Sequence, residues 1–324
     1  MLPNAPNLIA ADIGNSRIKL ARFPLAQAAS FAEALKGRPS LAPSVDGRDS
    51  IAFDGRIESN PYWSLFEQGE TLYLPILDRG GQFDDERLAA WCQEFIAGDA
   101  EWFVASVHRG AADRLSSLVN HVSAERRLHW PLRRLTYQDV PLAIHVDEPH
   151  RVGIDRLLAA TAVNCVRDPE RAAIVVDLGT AIKVDLVSCE GAFAGGAILP
   201  GIGISARALH EFTDALPHIA RERLDVPPPP LGKSTTAAIE SGLFWGAVGA
   251  IRELVAKFAS GQPLAPELFL TGGASPEVAK LLRPGPIDDE SPPVAGVFHV
   301  PHLVLAGIAI VAGKTAATPA APGQ

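Results

Sequence analysis

Cysteine is scarce. Cys92, Cys165 and Cys189 are the only three in 324 residues, widely spaced and without a CxxC pair. An odd, scattered set excludes a disulfide framework and a thiolate zinc site, and it points to a reducing compartment. Basic charge is also short: 29 Lys and Arg stand against 37 Asp and Glu, a formal net charge of −8. A nucleic-acid partner held by a broad basic face is excluded. An anionic small molecule is not, because a pocket can differ in sign from the surface around it. No apolar run approaches the roughly 18 residues that mark a membrane-spanning helix, and the longest, Leu303 to Gly313, is too short. The opening MLPNAPNLIAADIG has neither the basic start nor the apolar core of a signal peptide, so the expected setting is cytoplasmic, with no membrane partner.

What is present is ordinary for a globular chain: 47% hydrophobic and 20% charged residues, a balance that rules out disordered and collagen-like classes. At about 150 residues per domain, the length predicts two domains, here 1–150 and 151–324. The first segment reads as a hairpin, with LIAADI as one strand, Gly14-Asn15-Ser16 as the turn and RIKLARF alternating in period two. Residues 24 to 50 read as a loop or an added helix-loop segment. A helix opens at Asp84-Asp85-Glu86 and stops at Gly98, WFVASV reads as a strand, and helices follow from Ala111 to about His121 and from Gly153 to Val166. The stretch 234–242 starts another helix, VPPPPL is a stiff loop, and the tail from Lys314 reads as disordered.

The second half repeats the opening. Asp12-x-Gly14-Asn15-Ser16 and Asp177-x-Gly179-Thr180-Ala181 align at an offset of 165 residues, each between two apolar strands. Taken singly, an Asp-x-Gly is an ordinary β-turn. In matched contexts its chemistry is more pointed: glycine lets a phosphate approach bare backbone, turn amides and hydroxyls donate to phosphate oxygens, and the carboxylate suits hydrated Mg²⁺. A third glycine turn, Thr271-Gly272-Gly273, follows an apolar strand and suits the adenosine end of a nucleotide. Between the units lies Gly153-Ile154-Asp155-Arg156 at a helix start. It reads either as a solvated N-terminus with a favourable Asp, or as a base for a substrate hydroxyl (Asp155) beside an anion clamp (Arg156). Residues 195–204, GGAILPGIGI, read as a further glycine-rich loop, either mere turn chemistry or a flexible wall over substrate.

In this order the motifs resemble those of the type III pantothenate kinases, of the acetate and sugar kinase/Hsc70/actin superfamily. The likeness rests on Asp12-x-Gly14-Asn15-Ser16-x-x-x-Lys19, Gly153-x-Asp155-Arg156, Asp177-x-Gly179-Thr180-Ala181-x-x-x-Asp185, Gly195-Gly196-x-Ile198-x-Pro200-Gly201, Gly232-x-x-Thr235 with Gly242, and Thr271-Gly272-Gly273, with Pro301-His302-Leu303 also similar. The resemblance implies an α/β fold of two related ribonuclease-H-like lobes of the actin-like ATPase superfamily, with a cleft between them. It implies ATP-dependent phosphorylation of pantothenate to 4′-phosphopantothenate, the first step towards coenzyme A, by a homodimer. Asp155 would be the general base. Asp12, Gly14, Asn15, Ser16, Lys19, Gly179 and Thr180 would hold phosphates, with Mg²⁺ at Asp12, and Gly272 and Gly273 would face adenine. Gly153 and Arg156 would lie against pantothenate, Thr235 would reach the neighbouring subunit's substrate, and Asp177 would serve a monovalent cation, K⁺ or NH₄⁺.

Three departures stand out. Ser16 replaces the usual threonine and keeps the hydroxyl. Ile182 and Lys183 stand where the family has threonines. Lys183 shares a strand face with Asp185, and reads either as its ion-pair partner or as an ammonium in place of the monovalent cation near Asp177. The chain also carries extra sequence around 24 to 60 and at its tail. Three rival readings remain open: a related kinase for another small hydroxylated substrate, a non-catalytic regulator of the Bvg accessory factor type, and a scaffold module without ligand.

Overall fold

The computed structural model describes residues 7–24, 71–220, 226–273, 278, 281, 282 and 294–317. The expected loop or helix-loop segment, and almost all of the extra sequence around 24 to 60, lie outside the described residues.

The opening hairpin forms as its alternation predicts. β1 (Asn7–Ile13) is buried at every position and pairs antiparallel with β2 (Arg17–Pro24), Ile13 facing Ile18 across the turn. β3 (Thr71–Pro75) extends β2 antiparallel, while β4 (Ala100–Ser106) and β5 (Leu132–Arg134) add in parallel on the other side of β1, giving the order β3-β2-β1-β4-β5. The second sheet repeats this strand for strand. β6 (Ala173–Leu178) pairs antiparallel with β7 (Ala181–Val187), β7 with β8 (Phe193–Pro200), and β9 (Glu267–Gly272) and β10 (Gly296–His299) run parallel to β6. The repeated Asp-x-Gly units are thus the sequence trace of a duplicated topology, two α/β lobes whose five-stranded sheets share one strand order.

Helices fill three layers around the sheets. α1 (Asp85–Phe95) and α2 (Arg109–Arg126) cover the outer face of the first sheet. α1 starts at Asp84, whose carboxylate accepts the Arg87 amide at 2.9 Å and satisfies an otherwise orphaned donor. α3 (Ile154–Asn164) follows a short 3-10 turn at Pro149–Arg151, and α4 (Ile202–Glu211) leads towards α5 (Thr235–Ser260), which covers the outer face of the second sheet. α6 (Leu303–Ala317) joins α3 between the sheets, in one core with the inner faces of both. Leu303, Leu305, Ala306, Ile308 and Ala309 through Ala312 are all buried, the pattern of a helix enclosed on every side. Backbones meet there: a Cβ at Gly307 would stand 2.2 Å from the Leu158 carbonyl oxygen. Among the described residues, no helix is long and apolar enough to cross a membrane.

Two expectations are corrected. The 195–204 stretch is not a loop: residues up to Pro200 form β8, paired along β7, and Ile202 already opens α4. Gly196 is there for close approach, since a Cβ would stand 2.2 Å from the Val184 carbonyl oxygen and 2.3 Å from Asp185 Oδ1. The tail is helical as far as Ala317, with Thr315 Oγ1 donating to the Val311 carbonyl at 2.9 Å; residues beyond 317 lie outside the described set.

Candidate active site

Both Asp-x-Gly turns open into one cleft. Asp12 on β1 faces Lys19 on β2, whose Nζ donates to Asp12 Oδ2 at 3.2 Å. Asp177 on β6 faces Lys183 on β7, whose Nζ donates to Asp177 Oδ2 at 2.6 Å. Each hairpin therefore carries an Asp–Lys pair at its mouth. The turns meet where Ser16 Oγ and Thr180 Oγ1 lie 2.8 Å apart. With Asn15, Gly14, Gly179, Gly272 and Gly273 they line a cavity of about 330 Å³, within the range of small-ligand sites.

Asp155 enters from a third direction, at the N-terminus of α3. Its Oδ1 accepts the Arg156 amide at 3.0 Å and its Oδ2 accepts from Lys183 Nζ at 2.7 Å. Gly153 makes room for that carboxylate, because a Cβ there would stand 2.6 Å from Asp155 Oδ1. The glycine after β9 is equally constrained. Gly272 has φ +99°, and a Cβ would fall 2.6 Å from the Leu178 carbonyl oxygen, so only glycine lets this turn lie against the end of β6.

Charge is concentrated here. Burial pushes the Asp12 carboxyl above its usual range; Lys19 pulls it back, while Asp155 and Asp177 add to the rise. Burial opposes the charge on Lys19, but Asp12 and Asp177 outweigh it and hold the ammonium protonated above its ordinary range. The same contest at Lys183, burial against Asp177 and Asp155, ends further in favour of the ammonium.

Mg²⁺ takes oxygen ligands, keeps several waters and is usually held by one or two carboxylates together with substrate phosphates. Asp12, lining the cavity beside the Ser16 hydroxyl, supplies that kind of donor. No group of three or more His, Cys, Asp or Glu among the described residues is placed to hold a metal unaided. The donor set fits an ion shared with a nucleotide.

Not every expected site residue reaches the cavity. Asp12, Gly14, Asn15, Ser16, Lys19, Asp155, Asp177, Gly179, Thr180, Lys183, Gly272 and Gly273 line it; Gly153, Arg156 and Thr235 do not. Arg156, expected as an anion clamp, turns to Asp185 on β7, with its Nε donating at 2.9 Å and its Nη2 completing a fork. Its guanidinium lies 5.3 Å from the Phe193 ring centroid, and its side chain is 12% exposed. The expected Lys183–Asp185 pair is therefore absent: each residue has a nearer partner of opposite charge, Asp155 and Asp177 for Lys183 and Arg156 for Asp185. Thr235 is exposed at the first turn of α5.

The cavity also includes residues to which the sequence assigned no role. Val107 sits just beyond β4, at the carboxyl end of a parallel strand where ligands gather in α/β sheets, and that position is the signal that marks it. Tyr73 on β3 and His302 before α6 close another wall, the Tyr73 hydroxyl lying 3.2 Å from His302 Nε2. Burial pushes His302 down to about 4, with Lys19 and His299 adding to the effect. No motif announces Tyr73. The three cysteines are free, and burial pushes Cys92 up to about 12 and Cys165 up to about 11, which leaves both as inert thiols.

Residues 59–257 match the family model described as type III pantothenate kinase. A curated protein of Rhodopirellula baltica named type III pantothenate kinase is 33% identical over 304 residues, covering 91% of this chain and 95% of its own. One of the same name from Alkalilimnicola ehrlichii is 33% identical over 269 residues, covering 79% of this chain and 99% of its own. A third, from a Ruegeria species, is 41% identical over 142 residues, 42% of this chain and 51% of its own.

Proposed function

The chain belongs to the type III pantothenate kinase family, whose reaction is the phosphorylation of pantothenate on the way to coenzyme A, and on that premise we propose how this cleft performs it. Phosphoryl transfer asks a protein mainly for positioning and charge stabilisation. Asp155 accepts the proton of the pantothenate hydroxyl. Its carboxylate has about four acceptor sites, of which Arg156 N and Lys183 Nζ use two. The amides and hydroxyls of the two turns, Gly14 to Ser16 and Gly179 to Thr180, cradle the phosphates of ATP, with Lys19 adding positive charge. Gly272 and Gly273 offer bare backbone to the adenosine end. Mg²⁺, held at Asp12, would neutralise phosphate charge.

The observation that carries this reading is the convergence of Asp155 with both phosphate turns on one cavity. Purified protein given ATP, Mg²⁺ and pantothenate is expected to release ADP and 4′-phosphopantothenate one for one. ATP turnover only with some other small alcohol would replace the substrate, and ATP binding without turnover on any would favour the regulatory reading.

Homodimerisation and a role for Thr235 at the partner's pantothenate belong to the same proposal. Thr235 lies off its own chain's cavity, and Phe212 and Leu231, which precede it in sequence, are 84% and 76% exposed. Sedimentation showing only monomers at assay concentration would overturn that part. The free thiols go with a cytoplasmic setting.

A further inference from the structure

We propose that Lys183 is a built-in substitute for a monovalent cation: its ammonium fills the place beside Asp177, ties that residue to Asp155, and frees phosphoryl transfer from any need for added K⁺ or NH₄⁺. The inference rests on the kinase reading above. A monovalent cation at Asp177 does not fit this chain, because Lys183 Nζ already stands 2.6 Å from Asp177 Oδ2 and 2.7 Å from Asp155 Oδ2. A second cation at the same carboxylate would face a like charge at short range in a partly desolvated site.

The ammonium is also held in place. The side chains of Lys183, Asp155 and Asp177 are only 18%, 13% and 21% exposed, and Lys183 issues from β7 inside a sheet, opposite Asp177. Swinging it outwards would leave two partly buried carboxylates facing each other, a costly arrangement. Because the same ammonium bonds the base, Lys183 acts as a positioning residue for Asp155, fixing one carboxylate oxygen from across the cleft.

The test compares KCl with choline chloride at equal ionic strength, with two readouts: pantothenate-dependent ADP release and melting temperature. The wild type is expected to show the same rate and the same melting temperature in both salts. Lys183→Thr, which keeps a strand-compatible side chain and opens the space, is expected to lose about tenfold or more in rate in choline chloride through misplacement of Asp155. KCl should restore much of that rate and raise the variant's melting temperature. Lys183→Arg retains a charge and should remain indifferent to K⁺. A wild-type rate that climbs severalfold with K⁺ or NH₄⁺ would overturn the proposal. So would a folded Lys183→Thr with full rate in choline chloride, or one that neither regains activity nor gains stability with K⁺. If Lys183→Thr fails to fold, the wild-type comparison still decides. A wild type without activity towards pantothenate would sink the kinase reading, whereas the melting comparison continues to report on Lys183.

Discussion

Gly201→Ala tests how the second turn, proposed to cradle phosphate, is supported. Gly201 caps α4 with φ −66° and ψ 159°, a conformation alanine adopts freely, so no backbone penalty enters. The obstacle is steric. A Cβ there would stand 2.4 Å from the Thr180 carbonyl oxygen and 2.6 Å from that of Gly179, where real Cβ contacts essentially never fall below 3.0 Å. Both neighbours are backbone atoms of the turn, so relief requires the turn to move by about 0.6 Å, the difference between 2.4 and 3.0 Å. Overpacking of this kind costs about 1–3 kcal/mol. Displacement of catalytic groups by about 1 Å can cost about 10²-fold in rate, so a loss of roughly tenfold or more in kcat/KM for ATP is expected. Gly203, two residues on in the same helix, is the control: a Cβ there meets nothing within 4 Å. Gly203→Ala should leave kinetics alone and match or exceed wild-type stability, because alanine favours the helix. Unaltered ATP kinetics in Gly201→Ala would refute the idea that this glycine supports the turn.

Arg156→Ala removes one partner of a pair whose side chains are 12% and 5% exposed, and a loss of about 3–5 kcal/mol is expected by chemical denaturation. Arg156→Lys should recover only part, because an ammonium reproduces neither the fork on Asp185 nor the stack on Phe193. Wild-type stability with a raised KM for pantothenate would return Arg156 to the substrate. His302 has its folded pKa lowered from 6.5 to about 4 by burial, Lys19 and His299. The unfolded chain therefore binds the extra proton between those values, so the His302 contribution is present above pH 6.5 and is lost as pH falls through about 4. That contribution amounts to at most roughly 3 kcal/mol. His302→Asn, which tolerates the left-handed φ of 63° at this position, should flatten the slope of stability against pH in that window. Equal slopes in both proteins would contradict the assignment.

The sequence showed the parts of the fold with local periodicity or repetition. Both hairpins, the duplicated Asp-x-Gly turns and the helix carrying Asp155 were legible because apolar alternation and glycine turns act over a few residues. Gly195 and Gly196 misled, since paired glycines mimic a turn, and the need for Gly196 appears only when β8 lies against Asp185. Lys183 beside Asp177 was legible, but its second partner Asp155 and the pairing of Arg156 with Asp185 were not. Each lies on a strand or helix whose neighbours are set by topology, with Lys183 and Asp155 28 positions apart and Arg156 and Asp185 29 positions apart. Tyr73 and His302 meet from 229 positions apart, a distance that no local pattern spans.

The central claim is that Asp155 takes the pantothenate proton in this cleft. Asp155→Asn keeps the shape and removes the base, so single-turnover formation of 4′-phosphopantothenate should fall by about 10²–10⁴-fold, with the protein folded and ATP affinity close to wild type. Turnover near the wild-type rate in that variant would contradict the account.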